Sequence, residues 1–440
     1  MLQLLIYDKK LYYTLFFWVF VGVFTGPLVY LIIPAHLLIL TSKGEWLIVL
    51  LGLWLVMTLS DSRQHVFQFA ETLKIILMGL VGYLFLASPK TRYDWDFFKP
   101  FIAFFLIASF AWLNSPVALD SIMKMSSYAL LLMVIPWLVN KLLTEDRDLF
   151  LIHLVMLGTF VLMTGVALKF ISPGFVNFIG NRFSGLLGNP NGLGIYGFMF
   201  LSMVTIIFTF HPHLFSLKEK IFVYFIILLS LVWASSRGGL FASALFILGW
   251  YLFKKNTVTG LIVMSSIFIS YQLVLNNFEV IASSLGLQKY FRLETFRSGA
   301  GRLVAEEFAW KQINTQYWLG KGFGFSEYFM QLNAGRFLNT EHQGNVHNSY
   351  LTIWIDTGLF GLIAFCYGWL NNFFRAARNS PIIWALFFGL ILSTSVESWL
   401  SASLNPFTIQ LVIILSLLSN KEFYQEEEGI SDVESVVASD

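Results

Sequence analysis

The sequence predicts an all-α, polytopic membrane protein with about 12–14 transmembrane helices, since each crossing needs roughly 20 apolar residues. Three observations carry this. The 440 residues are 57% hydrophobic and only 12% charged, against about 25% charged in a typical soluble chain. Apolar runs recur from one end to the other. Lys and Arg fall in alternate loops between them, the asymmetry that sets membrane orientation. Aromatics reach 18%, with 46 Phe, so lipid must solvate much of this surface. The single cysteine, Cys366, excludes an internal disulfide framework. No cleavable signal is expected, because the N-terminus leads straight into the hydrophobic segments.

In order, the first run, Tyr12 to Leu40, is too long for one crossing and is divided by Gly26-Pro27. Lys9 and Lys10 favour a cytoplasmic start and hence two helices there. Further candidate spans are 45–60, 66–87, 97–113, 122–139, 149–171, 192–210, 219–235, 238–253, 256–275, 347–373, 381–398 and 403–420. Lys43, Lys90 with Arg92, Lys141 with Arg147, Lys218 with Lys220, Lys254 with Lys255, and Arg375 with Arg378 mark one side, read as cytoplasmic. The other side carries Arg63, Lys124, Arg182, Arg237 and one long segment, 276–346. Four regions follow: an N-terminal transmembrane bundle (1–275), the long outer loop (276–346), C-terminal transmembrane helices (347–420) and an acidic cytoplasmic tail (421–440). The tail holds seven acidic residues and one basic, leaving 27 Lys+Arg against 19 Asp+Glu, a net +8, over 1–420. It reads as solvated and disordered. Within the loop, 301–318 reads as an amphipathic helix near the outer interface, with Leu303, Phe308, Trp310 and Ile313 among charges.

Ionisable groups at membrane depth are costly, so those gathered on one side are candidates for function. Arg182 (in NRFSGLLGNPNGLG), Arg237 (SSRGG), Arg302 (SGAGRL) and His347 (GNVHNSYL) fall on the outer side. Helices beginning near Gly192, Gly238 and His347 all point their N-termini outward, preceded or opened by Asn191, Ser236-Arg237 or His347-Asn348. Helix N-termini and arginines on one face form an anion site. His347 is the candidate base, since a helix N-terminus favours the neutral ring. Asp356, nine residues on, faces the other way round the helix. Glu397 lies near an outer helix end. Plainer readings stand beside these: a snorkelling arginine, small-residue packing at SSRGG, a helix cap at GNPNG, and a turn at Gly320-Gly322-Gly324. The other histidines, His36, His65, His153, His211 and His213, show no metal-ligand spacing. There is no Walker sequence, CxxC, DxD cluster or internal repeat, and no nucleic-acid partner or cofactor is expected.

GLLGNPNGLG, SSRGG, GRL with Trp310, GKGFG and VHNSYLTIWIDTGLFGL, spanning roughly 180–370, resemble the O-antigen ligase and polymerase superfamily. The resemblance implies a GT-C-type glycosyltransferase of the bacterial inner membrane. Such enzymes move a glycan from undecaprenyl diphosphate to an acceptor hydroxyl, on a glycolipid or another glycan, at the periplasmic face. By residue it implies His347 as the essential histidine, Arg237 and Arg302 as holders of the donor diphosphate, and Arg182 as a further basic position. Asn191, Asn348 and Glu397 are candidate supporting residues. It also implies a metal-independent reaction, and one-step displacement would invert the anomeric carbon. Ligase, polymerase and protein O-glycosylation share these motifs. A flippase or secondary transporter is the alternative of another class; it predicts midplane charges and paired broken helices, whereas here the ionisable residues cluster at helix ends, apart from Glu71 with Lys74 and Glu397, and no internal repeat is present.

Overall fold

A computed structural model describes residues 9–61, 63–87, 95–113, 115–178, 182–284, 302–337 and 345–425, with backbone alone for 178, 271–283, 302–304 and 336–337. The chain is an all-α, polytopic membrane protein. Among the described residues, four helices combine the length and apolarity of a crossing, His65–Ala87, Ala118–Ile171, Pro190–Phe210 and Ser349–Ala377, and six shorter apolar helices accompany them.

The first expected pair is present as α1 (Lys9–Phe24) and α2 (Val29–Ser42), separated by a short 3-10 turn at Gly26–Leu28. Gly26 takes a positive φ of 56° and Pro27 follows it, which stops α1. Lys10 of α1 pairs with Glu45 beyond α2, so the chain doubles back. At 16 and 14 residues, α1 and α2 are about 24 and 21 Å long, shorter than the roughly 30 Å hydrocarbon layer. Then come α3 (Trp46–Leu59), α4 (Phe69–Ala87) and α5 (Ile102–Trp112). Trp18 of α1 seats over Gly52 of α3, where a Cβ would stand 2.5 Å from the indole ring.

α6 (Ala118–Ile171) has 54 residues, about 80 Å of helix at 1.5 Å per residue, far more than one crossing. Asp146 breaks it, with φ −159° and ψ 86°, and its carboxylate caps the second half by accepting from Leu149 N at 3.0 Å. The two spans expected at 122–139 and 149–171 thereby fall on separate helical segments. A two-stranded hairpin, β1 (Asn177–Phe178) with β2 (Arg182–Phe183), leads to α7 (Pro190–Phe210), α8 (Leu217–Ala234), α9 (Arg237–Lys255) and α10 (Thr257–Ser284). α10 runs past 275, where the loop was expected to begin.

The loop holds α11 (Arg302–Thr315) and α12 (Phe325–Leu332). α11 has one buried and one exposed face, as the amphipathic helix expected there does. Its buried stripe is Ala305, Ala309 and Ile313, packed with Leu351 and Ile355 of the next long helix, so protein covers that face. Trp310, 44% exposed, stacks edge-on against Trp354. Lys124 of α6 pairs with Glu327 of α12 at 2.8 Å and holds that carboxyl below its usual range. The last helices are α13 (Ser349–Ala377), α14 (Ile383–Val396) and α15 (Pro406–Ser419). α9 packs most extensively on α14 and next on α7.

Contacts sort the connections into two ends. At one, Gln64 donates to Phe175 O (3.1 Å), Ser127 bonds Ser403 (2.8 Å) and Tyr128 donates to Leu400 O (2.8 Å). At the other, Asn420 bonds Asn140 (3.0 Å), Asn372 donates to Phe97 O (3.0 Å) and His211 bonds Phe423 O (2.7 Å). These groups match the alternate loops marked by charge. The packed chain also reaches further than expected: Lys421–Tyr424 form a 3-10 turn with Phe423 fully buried, so the tail's first residues belong to the bundle. Residues 426–440 lie outside the described residues.

Candidate active site

Three helix starts meet at the first end. Asn189 caps α7 by accepting from Asn191 N (3.0 Å), Ser236 caps α9 by accepting from Gly239 N (3.4 Å), and Asn348 caps α13 by accepting from Tyr350 N and Leu351 N. α7 and α9 cross so closely there that a Cβ on Gly239 would stand 2.5 Å from Gly194 C, and one on Gly194 2.4 Å from Ser236 Oγ. The glycines of NPNGLG and SSRGG thus serve capping and close packing, as their plainer readings hold, and in doing so set the neighbouring polar side chains side by side.

Those side chains form a bonded chain. Glu397, at the C-cap of α14, accepts from Asn191 Nδ2 through Oε1 (2.9 Å) and meets His347 Nδ1 through Oε2 (2.9 Å). A carboxylate at a helix C-terminus opposes the helix dipole, so these two partners compensate it. Arg182 donates one amino group to Asn191 Oδ1 (3.1 Å), Ala234 O (3.1 Å) and Ser235 O (3.2 Å), closing the end of α8. Ser349 Oγ donates to Glu397 O (2.9 Å) and accepts from Leu400 N (3.3 Å), which ties the start of α13 to the turn after α14. Side chains of His347 and Glu397 are 21% and 15% exposed, open enough to be reached.

An ionised carboxylate only accepts, so His347 Nδ1 donates to Glu397, and in the neutral ring Nε2 carries the lone pair. This arrangement can take a proton at Nε2 and stabilise the imidazolium that results. The only two non-glycine residues with positive φ among the described residues flank the site: His347 at 53° and Ser235 at 48°. Such conformations cost on the order of 1–3 kcal/mol each and collect at functional sites.

The structure therefore joins four of the seven residues singled out in the sequence, Arg182, Asn191, His347 and Glu397, with Asn348 beside them as the cap. Arg237 is exposed at the first position of α9, next to Ser235 and Ser236. Arg302 is the first residue of α11; its side chain lies outside the described residues, as do Glu341 and His342. Asp356 has its own task. Fully buried, it accepts from Gly324 N and Ser326 N at 2.7 Å each, while its carbonyl accepts from Gly322 N at 2.8 Å. It pins the GKGFG turn onto α13, where Gly358 breaks the helix at φ 73° and lets Trp318 O approach. The pairing of an acid with glycines 32 and 34 residues earlier left no periodic signal in the sequence.

Residues 222–366 match the family model Wzy_C, described as O-Antigen ligase. The match supports the O-antigen ligase superfamily. In general terms it supports glycan transfer of the ligase or polymerase type, with a lipid-linked glycan and an acceptor as substrates in a membrane. The matched region holds Arg237, Arg302, His347 and Asp356; Arg182 and Asn191 precede it, and Glu397 follows it. No curated protein matches the chain.

Proposed function

We propose that the protein transfers a glycan from undecaprenyl diphosphate to an acceptor hydroxyl at the periplasmic face of the bacterial inner membrane, as an O-antigen ligase does. The observation that carries this reading is the half-buried His347–Glu397 pair at 2.9 Å, at an end where three helices begin. His347 Nε2 takes the proton of the acceptor hydroxyl as its oxygen attacks the anomeric carbon. Glu397 holds the ring in the needed tautomer and balances the charge formed. The bond from the anomeric carbon to the diphosphate oxygen breaks, and the departing polyprenyl diphosphate is received by Arg237, Arg302 and the N-terminus of α9. Arginine suits this because its planar fork binds phosphate at two points and never loses its charge. A diphosphate is a good leaving group, so neither a general acid nor a metal is required. One displacement inverts the anomeric configuration.

Arg182 fits a different part from the donor contact implied by resemblance. One of its amino groups is taken up by Asn191 and two carbonyls, so it positions Asn191 and, through it, Glu397. The test is incubation of purified protein with a lipid-linked glycan and candidate acceptors, with and without chelator. Transfer to a lipid A core identifies a ligase; lengthening of a second lipid-linked glycan identifies a polymerase. Absence of any transfer, or loss with EDTA restored by Mg²⁺ or Mn²⁺, contradicts the mechanism.

A further inference from the structure

At the end of the bundle opposite His347, three side chains from separate elements converge. Asp148 stands just past the break in α6. His211 is the C-cap of α7, and His213 lies in the turn to α8. One ligand atom from each lies within 4.8 Å of the other two. The sequence reading found no ligand spacing among the histidines, since His-x-His alone is common and its acid lies some sixty residues earlier.

The surroundings fix the chemistry of this group. His211 is 3% exposed, and its Nε2 stands 2.7 Å from Phe423 O. A carbonyl only accepts, so Nε2 carries the proton and Nδ1 the lone pair. A backbone carbonyl behind the ring is the usual outer partner of a metal-bound histidine, setting both tautomer and orientation. His213 is exposed, with Nε2 3.7 Å from Asp148 Oδ2. That separation exceeds a hydrogen bond and suits two atoms that share a third partner. Asp148 Oδ1 accepts from Arg147 Nε at 2.9 Å, which leaves Oδ2 for the shared position. Arg147 also donates to Gln425 O. Its guanidinium is the competing cation here, and it selects for an ion that binds by directed nitrogen bonds over one held by charge alone.

We propose that Asp148, His211 and His213 bind a borderline divalent transition metal, Zn²⁺ being the natural occupant. Two imidazoles and one carboxylate are a common three-ligand set for zinc, with the fourth position left to water. The ion would fasten the break in α6 to the α7–α8 turn and, through His211 and Phe423, to the last packed turn of the chain. This is a structural clamp, remote from the transfer site and independent of its chemistry.

The test uses full-length protein purified through a tag without histidine and stripped with EDTA, then titrated with ZnCl₂ by calorimetry and metal analysis. One Zn²⁺ per chain with micromolar or tighter affinity is expected, along with a rise in melting temperature. His213→Ala and Asp148→Asn, both at accessible positions, should weaken binding at least tenfold and abolish that rise. His65→Ala, at the other end, should change neither. Zinc binding below stoichiometric level, or unchanged in His213→Ala and Asp148→Asn, overturns the proposal; the group is then a polar cluster closed by hydrogen bonds alone.

Discussion

At the scale of single residues, the carboxylate behind the histidine separates base from binder. His347→Ala removes the proton acceptor and leaves the diphosphate contacts in place. It should lower the transfer rate by about 10²–10⁴, the usual worth of general base catalysis, with donor affinity unchanged. Glu397→Gln keeps the shape but not the charge, and should reduce the rate with little effect on donor binding. Arg237→Ala and Arg302→Ala should weaken donor binding instead. A hydrogen bond to a charged group contributes roughly 1.5–3 kcal/mol, or about 10–100-fold in affinity, and lysine should restore only part of it. Arg182→Ala distinguishes its two readings: a positioning role lowers the rate at constant donor affinity, whereas a donor contact weakens binding. Binding of donor lipid to each variant, beside single-turnover transfer, reads all of these. The place of His347 was legible in the sequence because it stands just before a helix start, beside Asn348. Its pairing with Glu397 was not, because fifty residues, two helices and the reversal between them intervene, and only packing of α13 beside α14 brings them together.

At the scale of elements, the turn over α13 depends on one buried acid. Asp356→Ala leaves the N–H groups of Gly324 and Ser326 without acceptors, at about 1–3 kcal/mol each. Thermal unfolding in detergent should fall accordingly, and proteolysis between 316 and 337 should accelerate, while Asp356→Asn, which keeps one acceptor, should lie between. Unchanged melting and protease resistance would mean that the turn is held by other contacts. The sequence placed Asp356 correctly, away from His347, by the hundred-degree advance of a helix. It could not indicate what the acid touches, since a carboxylate capping a distant glycine turn obeys no local period. The helix at 302–315 shows a similar limit. Its charges suggested a membrane surface, but the residues that decide its packing are two alanines whose value lies in small size.

At the scale of the molecule, the fold was the most legible feature, because a bilayer imposes one length and one polarity on every crossing. The break at Asp146 and the reversal at Gly26-Pro27 were readable for that reason: a helix too long for the membrane must turn. Which end faces the periplasm is testable by cysteine labelling in a Cys366→Ser background. Gln331 is exposed on α12 and Asn256 is exposed at the opposite end, whereas Ser326 is buried and unsuitable. Gln331→Cys should react with an impermeant maleimide in intact cells, and Asn256→Cys only after lysis; the reverse pattern would place the His347–Glu397 site on the cytoplasmic side.

The most direct measurement is single-turnover transfer by purified wild-type and His347→Ala protein, each preloaded with lipid-linked glycan and mixed with acceptor. The account predicts release of polyprenyl diphosphate and a glycosylated acceptor from the wild type, and bound but unreacted donor from His347→Ala. Transfer by His347→Ala at a near wild-type rate would contradict it.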